Sequence, residues 1–331
     1  MPQAATSMSP NSSPSTSPSA DPPQAGGDSP PSPAIHTQDL AKKYGDITAL
    51  AGLTMTVPRG EVFGFLGPNG AGKTTAVKLL LGLTQPTSGQ GWVLGAPVGD
   101  IATRRRVGYL PELFRYQSWL SAREVLALHC ELARLPRRTW KAEIAEALEL
   151  VGLNDRADDR CGTFSKGMQQ RLGLGVALLG KPEIVFLDEP TSALDPVGRY
   201  DVREILRGLK DRSTTVFLNS HLLSEVELIC DRVAVVDHGR VIAIGTLGEL
   251  LQGADLVRVH VTGLDGRAGD LSRFGTVAAE GDWLTVHGLK EAAVPELVEA
   301  IVRLGGRVYA VEPRQQSLED RFLQLLQEEE A

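Results

Sequence analysis

Apolar and polar residues change their rhythm several times along this chain. Thr54-Met55-Thr56-Val57 alternates with the period of a half-buried strand, and Pro58-Arg59-Gly60 reads as a turn. Glu61–Leu66 is a short apolar run that predicts a buried strand ending at a glycine-rich loop, and Thr74–Leu83 follows with helical spacing. From about Ile101 to Phe164 the apolar positions (Leu126, Leu132, Ile144, Leu148, Val151) predict mainly helices. Strand-like runs return at Ile184–Leu187, Thr215–Leu218, Val233–Val236 and Val241–Ile244, with helical stretches between them. Strands alternating with helices predict an α/β fold with a largely parallel sheet covered on both faces, made mixed by the antiparallel-looking start.

The pattern shifts near Gly253. Val257–Val261, Thr276–Ala279, Leu284–His287 and Val308–Val311 read as strands, and Val294, Leu297, Ile301 and Leu304 form a helical stripe suited to core packing. Ser317 and Asp320 resemble a capping box opening a last helix, with Leu318, Phe322 and Leu325 on one face. Residues 253–331 are therefore expected to form a small accessory α+β domain, and residues 34–252 the main domain, with a helical subdomain over about 101–164. Residues 1–33 hold nine Pro, nine Ser and only two charged residues, Asp21 and Asp28. Such a stretch cannot bury enough apolar surface to offset chain entropy, so it is expected to be disordered.

Composition narrows the function classes. The net charge of −7 argues against broad nucleic-acid binding, which needs a basic face, so no nucleic-acid partner is expected. Arg104-Arg105-Arg106 and Arg137-Arg138 lack interleaved aromatic residues and read as solvated helix faces. Cys130, Cys161 and Cys230 are scattered without metal-ligand spacing, which suits a reducing cytosol. No run approaches the ~18 apolar residues of a spanning helix, and no basic region precedes an apolar run at the N-terminus, so a cytoplasmic location is expected.

Two stretches carry chemistry. Gly67-Pro68-Asn69-Gly70-Ala71-Gly72-Lys73-Thr74 fits the phosphate-binding pattern GxxxxGK[ST] between a predicted strand and helix, with Thr75 next in line. Glycines let backbone N–H groups turn inward around phosphate oxygens, and the helix N-terminus adds partial positive charge. Lys73 is expected to reach the β- and γ-phosphates of ATP, and the Thr74 hydroxyl to bind Mg²⁺. Downstream, Ile184-Val185-Phe186-Leu187-Asp188-Glu189 is an apolar strand ending in two carboxylates. One, Asp188, is placed for the metal; the other, Glu189, is placed to orient or deprotonate a water.

With those stretches in view, the sequence from about Ile35 to Leu251 resembles the ATP-binding-cassette (ABC) ATPases. Phe164-Ser165-Lys166-Gly167-Met168-Gln169-Gln170-Arg171 resembles the family's signature motif, Ser192-Ala193-Leu194-Asp195 its D-loop, Ser220-His221 its switch histidine, and Tyr44 the aromatic that stacks on adenine. The resemblance implies a head-to-tail dimer with two ATPs at the interface. Each nucleotide would lie between the Lys73 loop of one subunit and Ser165, Lys166 and Gly167 of the other. His221 would contact the γ-phosphate, and Asp195 would link the two sites.

Two positions depart from the family pattern. Glu112 stands where glutamine is common; its carboxylate can still approach Mg²⁺, but it adds negative charge beside Asp188 and Glu189. Lys166 stands where glycine is usual, and either adds positive charge near the partner's γ-phosphate or points to solvent. Both departures, and the C-terminal module, are similar to the branch of bacterial ABC exporters, of drug- and antibiotic-export type, whose ATPase and permease are separate chains. That resemblance implies a homodimer or a pair with a paralogous ATPase, bound to an integral membrane permease at the inner face of the cell membrane. The region Leu110–Leu135 would dock a coupling helix of the permease, with Leu113, Phe114, Trp119 and Leu120 as socket candidates, at least half of them core instead. A soluble ABC protein of translation or DNA repair is the alternative class, but this chain has one cassette and no long coiled-coil or zinc insertion. A non-hydrolysing regulatory subunit is the other, and Glu189 with His221 argues against it.

Overall fold

The computed structural model describes residues 32–192, 194–251, 255–264, 266–315 and 317–330. All but Ser32 and Pro33 of the expected tail at 1–33 lie outside the described residues, as does Ala193 of the D-loop motif.

The chain opens with strands β1 (Ile35–Tyr44), β2 (Ile47–Val57) and β3 (Val62–Leu66), then helix α1 (Lys73–Leu80) and strands β4 (Ser88–Val93) and β5 (Ala96–Pro97). Strand β6 (Val107–Leu110) leads into helices α2 (Ala122–Leu132), α3 (Trp140–Leu150) and α4 (Lys166–Ala177). An alternating run follows: β7 (Ile184–Asp188), α5 (Pro196–Asp211), β8 (Thr215–Asn219), α6 (Leu223–Ile229), β9 (Arg232–Asp237), β10 (Arg240–Thr246) and α7 (Leu247–Leu250). The last part holds β11 (Asp255–Thr262), β12 (Thr276–Glu280), β13 (Trp283–His287), α8 (Val294–Arg303), β14 (Arg307–Gln315) and α9 (Leu318–Glu330).

The antiparallel start forms a sheet of its own, ordered β2-β1-β4-β5, rather than joining the parallel strands. The central sheet is ordered β10-β9-β3-β8-β7-β6, parallel throughout except for the β9–β10 hairpin at one edge. Its inner strands β3, β7 and β8 are buried at every residue, which explains their continuous apolar runs. Alternate residues serve two cores: on β7, Val185 and Leu187 face one, Ile184 and Phe186 the other. Phe217 lies at the centre of the second core, with ring centroids 5.2 Å from Phe65 and Phe186 and 5.8 Å from Phe63.

The third sheet, ordered β12-β13-β11-β14, is antiparallel and places Val257, Val259, Val261, Leu284 and Val286 against Leu297 and Ile301 of α8. Helix α9 does not join that core. Its Leu318 and Leu325 are buried among the residues of the first core, with Phe322 packed beside them.

Two expectations need correction. Helix α1 stops at Leu80, and the chain turns through Gly82 at φ 65°, leaving Leu83 exposed. The stretch 101–164 is less helical than its spacing suggested. It contains β6, whose four residues pair in parallel with β7 (Val107↔Ile184 through Leu110↔Leu187), and residues 111–121 hold no helix. The arginines at 104–106 are exposed, and two of them also make surface bonds: Arg104 donates to Gly82 O (2.8 Å), and Arg106 pairs with Glu183.

Candidate functional site

The glycine-rich loop sits between β3 and α1, as its spacing requires. Gly72, the N-cap of α1, adopts φ 95°, and a Cβ there would meet Ala49 O at 2.3 Å. Both the backbone conformation and the space therefore demand glycine. Lys73 is buried, and its Nζ donates to Gly67 O (2.8 Å) and Pro68 O (3.1 Å). An ammonium has three N–H donors, so one remains for a ligand oxygen. Burial lowers the Lys73 pKa, while Glu189, Asp188 and Glu112 oppose that shift. Thr74 is exposed on the first helical turn and Thr75 is half-buried beside it.

The carboxylates come from the next strand but one. Asp188 ends β7 opposite Asn219, the end of β8, and Asn219 Nδ2 donates to Asp188 Oδ1. Burial raises the Asp188 pKa; the Asn219 hydrogen bond pulls it down and Glu112 adds to the rise. Glu189 follows at φ 52°, the left-handed region, with its N–H donating to Asn219 O (2.9 Å). A non-glycine residue there stores about 1–3 kcal/mol, and such strain concentrates at working sites. Burial raises the Glu189 pKa and His221 opposes it. Glu189 Oε2 lies 2.7 Å from His221 Nδ1 yet is buried without a hydrogen-bond partner of good geometry. The contact is a close approach that becomes an ion pair only when the imidazole carries a second proton. His221 itself is half exposed.

Glu112 is exposed just after β6, near enough to Lys73 and Asp188 for its charge to bear on both. Tyr44 ends β1 and is 47% exposed, and Lys42 Nζ lies 5.0 Å from its ring centroid. One more donor set gathers elsewhere. Ser165 caps α4, accepting from Met168 N (3.2 Å), and Asp195 caps α5, accepting from Gly198 N (2.8 Å). Ser165, Lys166, Gly167 and Asp195 line one cavity of about 390 Å³. It shares no lining residue with the cavity formed by Gly67, Pro68, Asn69 and His221. The fold thus brings Lys73, Asp188, Glu189, His221 and Glu112 together, and holds the signature residues and Asp195 apart from them.

The sequence model of the family described as "ABC transporter" matches residues 50–192. An uncharacterized ABC transporter ATP-binding protein of Nostoc sp. is 40% identical over 308 residues, covering 89% of this chain and 90% of that protein. The chain belongs to the ABC transporter ATP-binding proteins. It binds and hydrolyses ATP as the ATP-binding subunit of a transporter. ATP-binding subunits of this family work with membrane permeases and dimerise. Among the described residues, no helix of this subunit is long and apolar enough to cross a membrane. The Nod factor export ATP-binding protein I of Rhizobium meliloti is 41% identical over 217 residues, 65% of either chain. A solved ATP-binding subunit of an ABC transporter matches the fold with a TM-score of 0.60 at 30% identity, over 66% of this chain and 91% of that one.

Two residues of this ATP-binding protein escaped the sequence reading. Asn219 orients Asp188, and its only signal was a polar residue ending an apolar strand beside Ser220-His221. Phe322 lines the cavity of the phosphate loop from the far end of the chain, where helical spacing marked it only as core.

Proposed function

We propose that this subunit drives export through a separate integral membrane permease by hydrolysing ATP at the ends of β3, β7 and β8. Glu189 carries the reading. A buried, strained carboxylate with one oxygen lacking a well-aligned donor, facing His221 and close to Lys73, is what a base for an attacking water needs. Lys73 and the backbone N–H groups of Asn69 through Thr75 hold the phosphates, with Gly67 and Pro68 shaping the loop, Tyr44 stacks on adenine, and His221 contacts the γ-phosphate.

Mg²⁺ fits the donor set present. Thr74 and Asp188, with Glu112 in reach, offer the hard oxygen ligands it prefers, and Asn219 fixes one Asp188 oxygen in place. Thr74 and Asp188 would hold the ion together with phosphate oxygens of the nucleotide. When bound, Mg²⁺ neutralises phosphate charge. The chain's own part is to orient the nucleotide, accept a proton at Glu189 and restrain His221.

A second ATPase subunit, identical or paralogous, supplies Ser165, Lys166 and Gly167 across the nucleotide, and Asp195 connects the two sites. The separation of the two cavities within one chain supports this, because neither alone can surround ATP. The permease would hold the dimer at the cytoplasmic face of the membrane. Of the four socket candidates, Leu113 (87% exposed) and Trp119 (68%) are free to meet it, whereas Phe114 and Leu120 pack on the first core. The division into a cassette over 34–252, with a helical subdomain over about 101–164, and a C-terminal accessory module over 253–331 belongs to this proposal, supported by a separate apolar cluster in the third sheet. Export is favoured by the likeness to the Nod factor export protein. The test is to isolate the membrane protein that co-purifies with this chain and add it back in vesicles. Stimulated ATP hydrolysis and outward movement of a substrate are expected; a partner that leaves ATPase activity unchanged would sink the export reading.

A further inference from the structure

Helix α9 reaches back from the end of the chain to the catalytic residues. Phe322 closes a cavity of about 160 Å³ whose other walls are Gly67, Pro68, Asn69, Ser220, His221 and Leu223. The helix is anchored for this position. Leu318 and Leu325 are buried in the first core, Leu318 N donates to Glu227 Oε2 of α6 (3.3 Å), and Ser317 and Asp320 exchange reciprocal cap bonds of 3.1 and 3.2 Å. Its contact, α6, is the short helix that begins directly after His221 and Leu222 and has no side-chain N-cap of its own.

Helix α6 also meets α5, where Arg203 lies 3.7 Å from Glu225, and both Arg203 Nε and Glu225 Oε2 are buried without hydrogen-bond partners. That contact is loose, so it restrains the helix less than a paired salt bridge would. The half-exposed His221 ring must nevertheless meet Glu189 at 2.7 Å. Packing from α9 adds a further restraint on this helix.

We propose that Phe322 is a positioning residue for His221. Its ring walls the cavity beside the Ser220-His221 turn, and so limits how far that turn can carry the imidazole away from Glu189 and the phosphate loop. This rests on the reading of His221 as the γ-phosphate contact. A displacement of about 1 Å at such a group can cost on the order of 10²-fold in rate.

The test is single-turnover ATP hydrolysis by the full chain carrying Phe322→Ala, Phe322→Leu, His221→Ala, or Phe322→Ala with His221→Ala, together with KM for ATP and thermal midpoints. Phe322→Ala should lower kcat by about tenfold or more with KM little changed. Phe322→Leu, which keeps an apolar side chain and a folded helix, should give an intermediate loss. In the His221→Ala background Phe322→Ala should cost nothing further, because the group it positions is gone. Leu323→Ala, at a half-exposed neighbouring position, should leave turnover unchanged. Parental kcat in both Phe322 variants, or losses that multiply in the double variant, would overturn the proposal. Parental turnover in His221→Ala would instead sink the reading of His221, so the two failures are separable.

Discussion

His221 Nδ1 lies 2.7 Å from Glu189 Oε2, and the two residues follow the C-terminal ends of the adjacent parallel strands β8 and β7. In open α/β sheets that edge is where ligands bind, because loops and helix N-termini converge there. The pairing gives each group a purpose. Burial disfavours the ionised Glu189, His221 opposes that shift, and Lys73 of the phosphate loop lies near enough for its charge to act on the same carboxylate.

The phosphate loop should not tolerate a methyl group at its hinge. Gly72→Ala places a Cβ 2.3 Å from Ala49 O and demands a conformation costing roughly 1–2 kcal/mol for a non-glycine residue. We expect a lower thermal midpoint and a loss of about tenfold or more in ATP affinity, equivalent to ~1.4 kcal/mol. Calorimetric titration with ATP reads this; unchanged affinity would mean the loop is not held against β2.

Phe217 tests the second core. It is fully buried among Phe63, Phe65 and Phe186, so Phe217→Ala should cost about 3–5 kcal/mol by chemical denaturation. A loss under ~1 kcal/mol would show that the sheet repacks around the hole.

Glu183 gives a pH signature. It accepts from Arg106 and Arg59, which together hold its pKa down from 4.5 to about 2. A depressed carboxylate contributes stability that is full above 4.5 and lost as pH falls toward 2. Its side chain is 42% exposed, so solvent screening limits the contribution to about 1 kcal/mol. Glu183→Gln should therefore be less stable than the parent in urea at neutral pH, and the gap should close as pH drops below 4.5. A gap that widens in acid would contradict this sign.

Much of the site was legible because its residues stand in short local patterns. The loop from Gly67 to Thr74 and the Asp188-Glu189 strand end each specify their own backbone context, and the fold delivers both. What stayed hidden depends on pairing over long separations. Strands β1, β4 and β6 are set by partners (β1 with β2 and β4, β6 with β7), not by clean alternation of their own. Asn219 acquires its role only when β8 lies in register beside β7, and Phe322 only when α9 crosses onto α6. The stretch 101–164 misled because apolar spacing within α2 and α3 overshadowed the four residues of β6.

The central claim is that Glu189 is the base for hydrolysis at a site that binds ATP independently of it. Steady-state ATPase and equilibrium ATP binding, measured side by side on Glu189→Gln, test this most directly. The amide keeps the shape but cannot take a proton, so turnover should fall by about 10²–10⁴-fold while ATP affinity holds and ATP-bound dimers accumulate. Turnover at the parental rate in Glu189→Gln, with intact binding, would contradict the account.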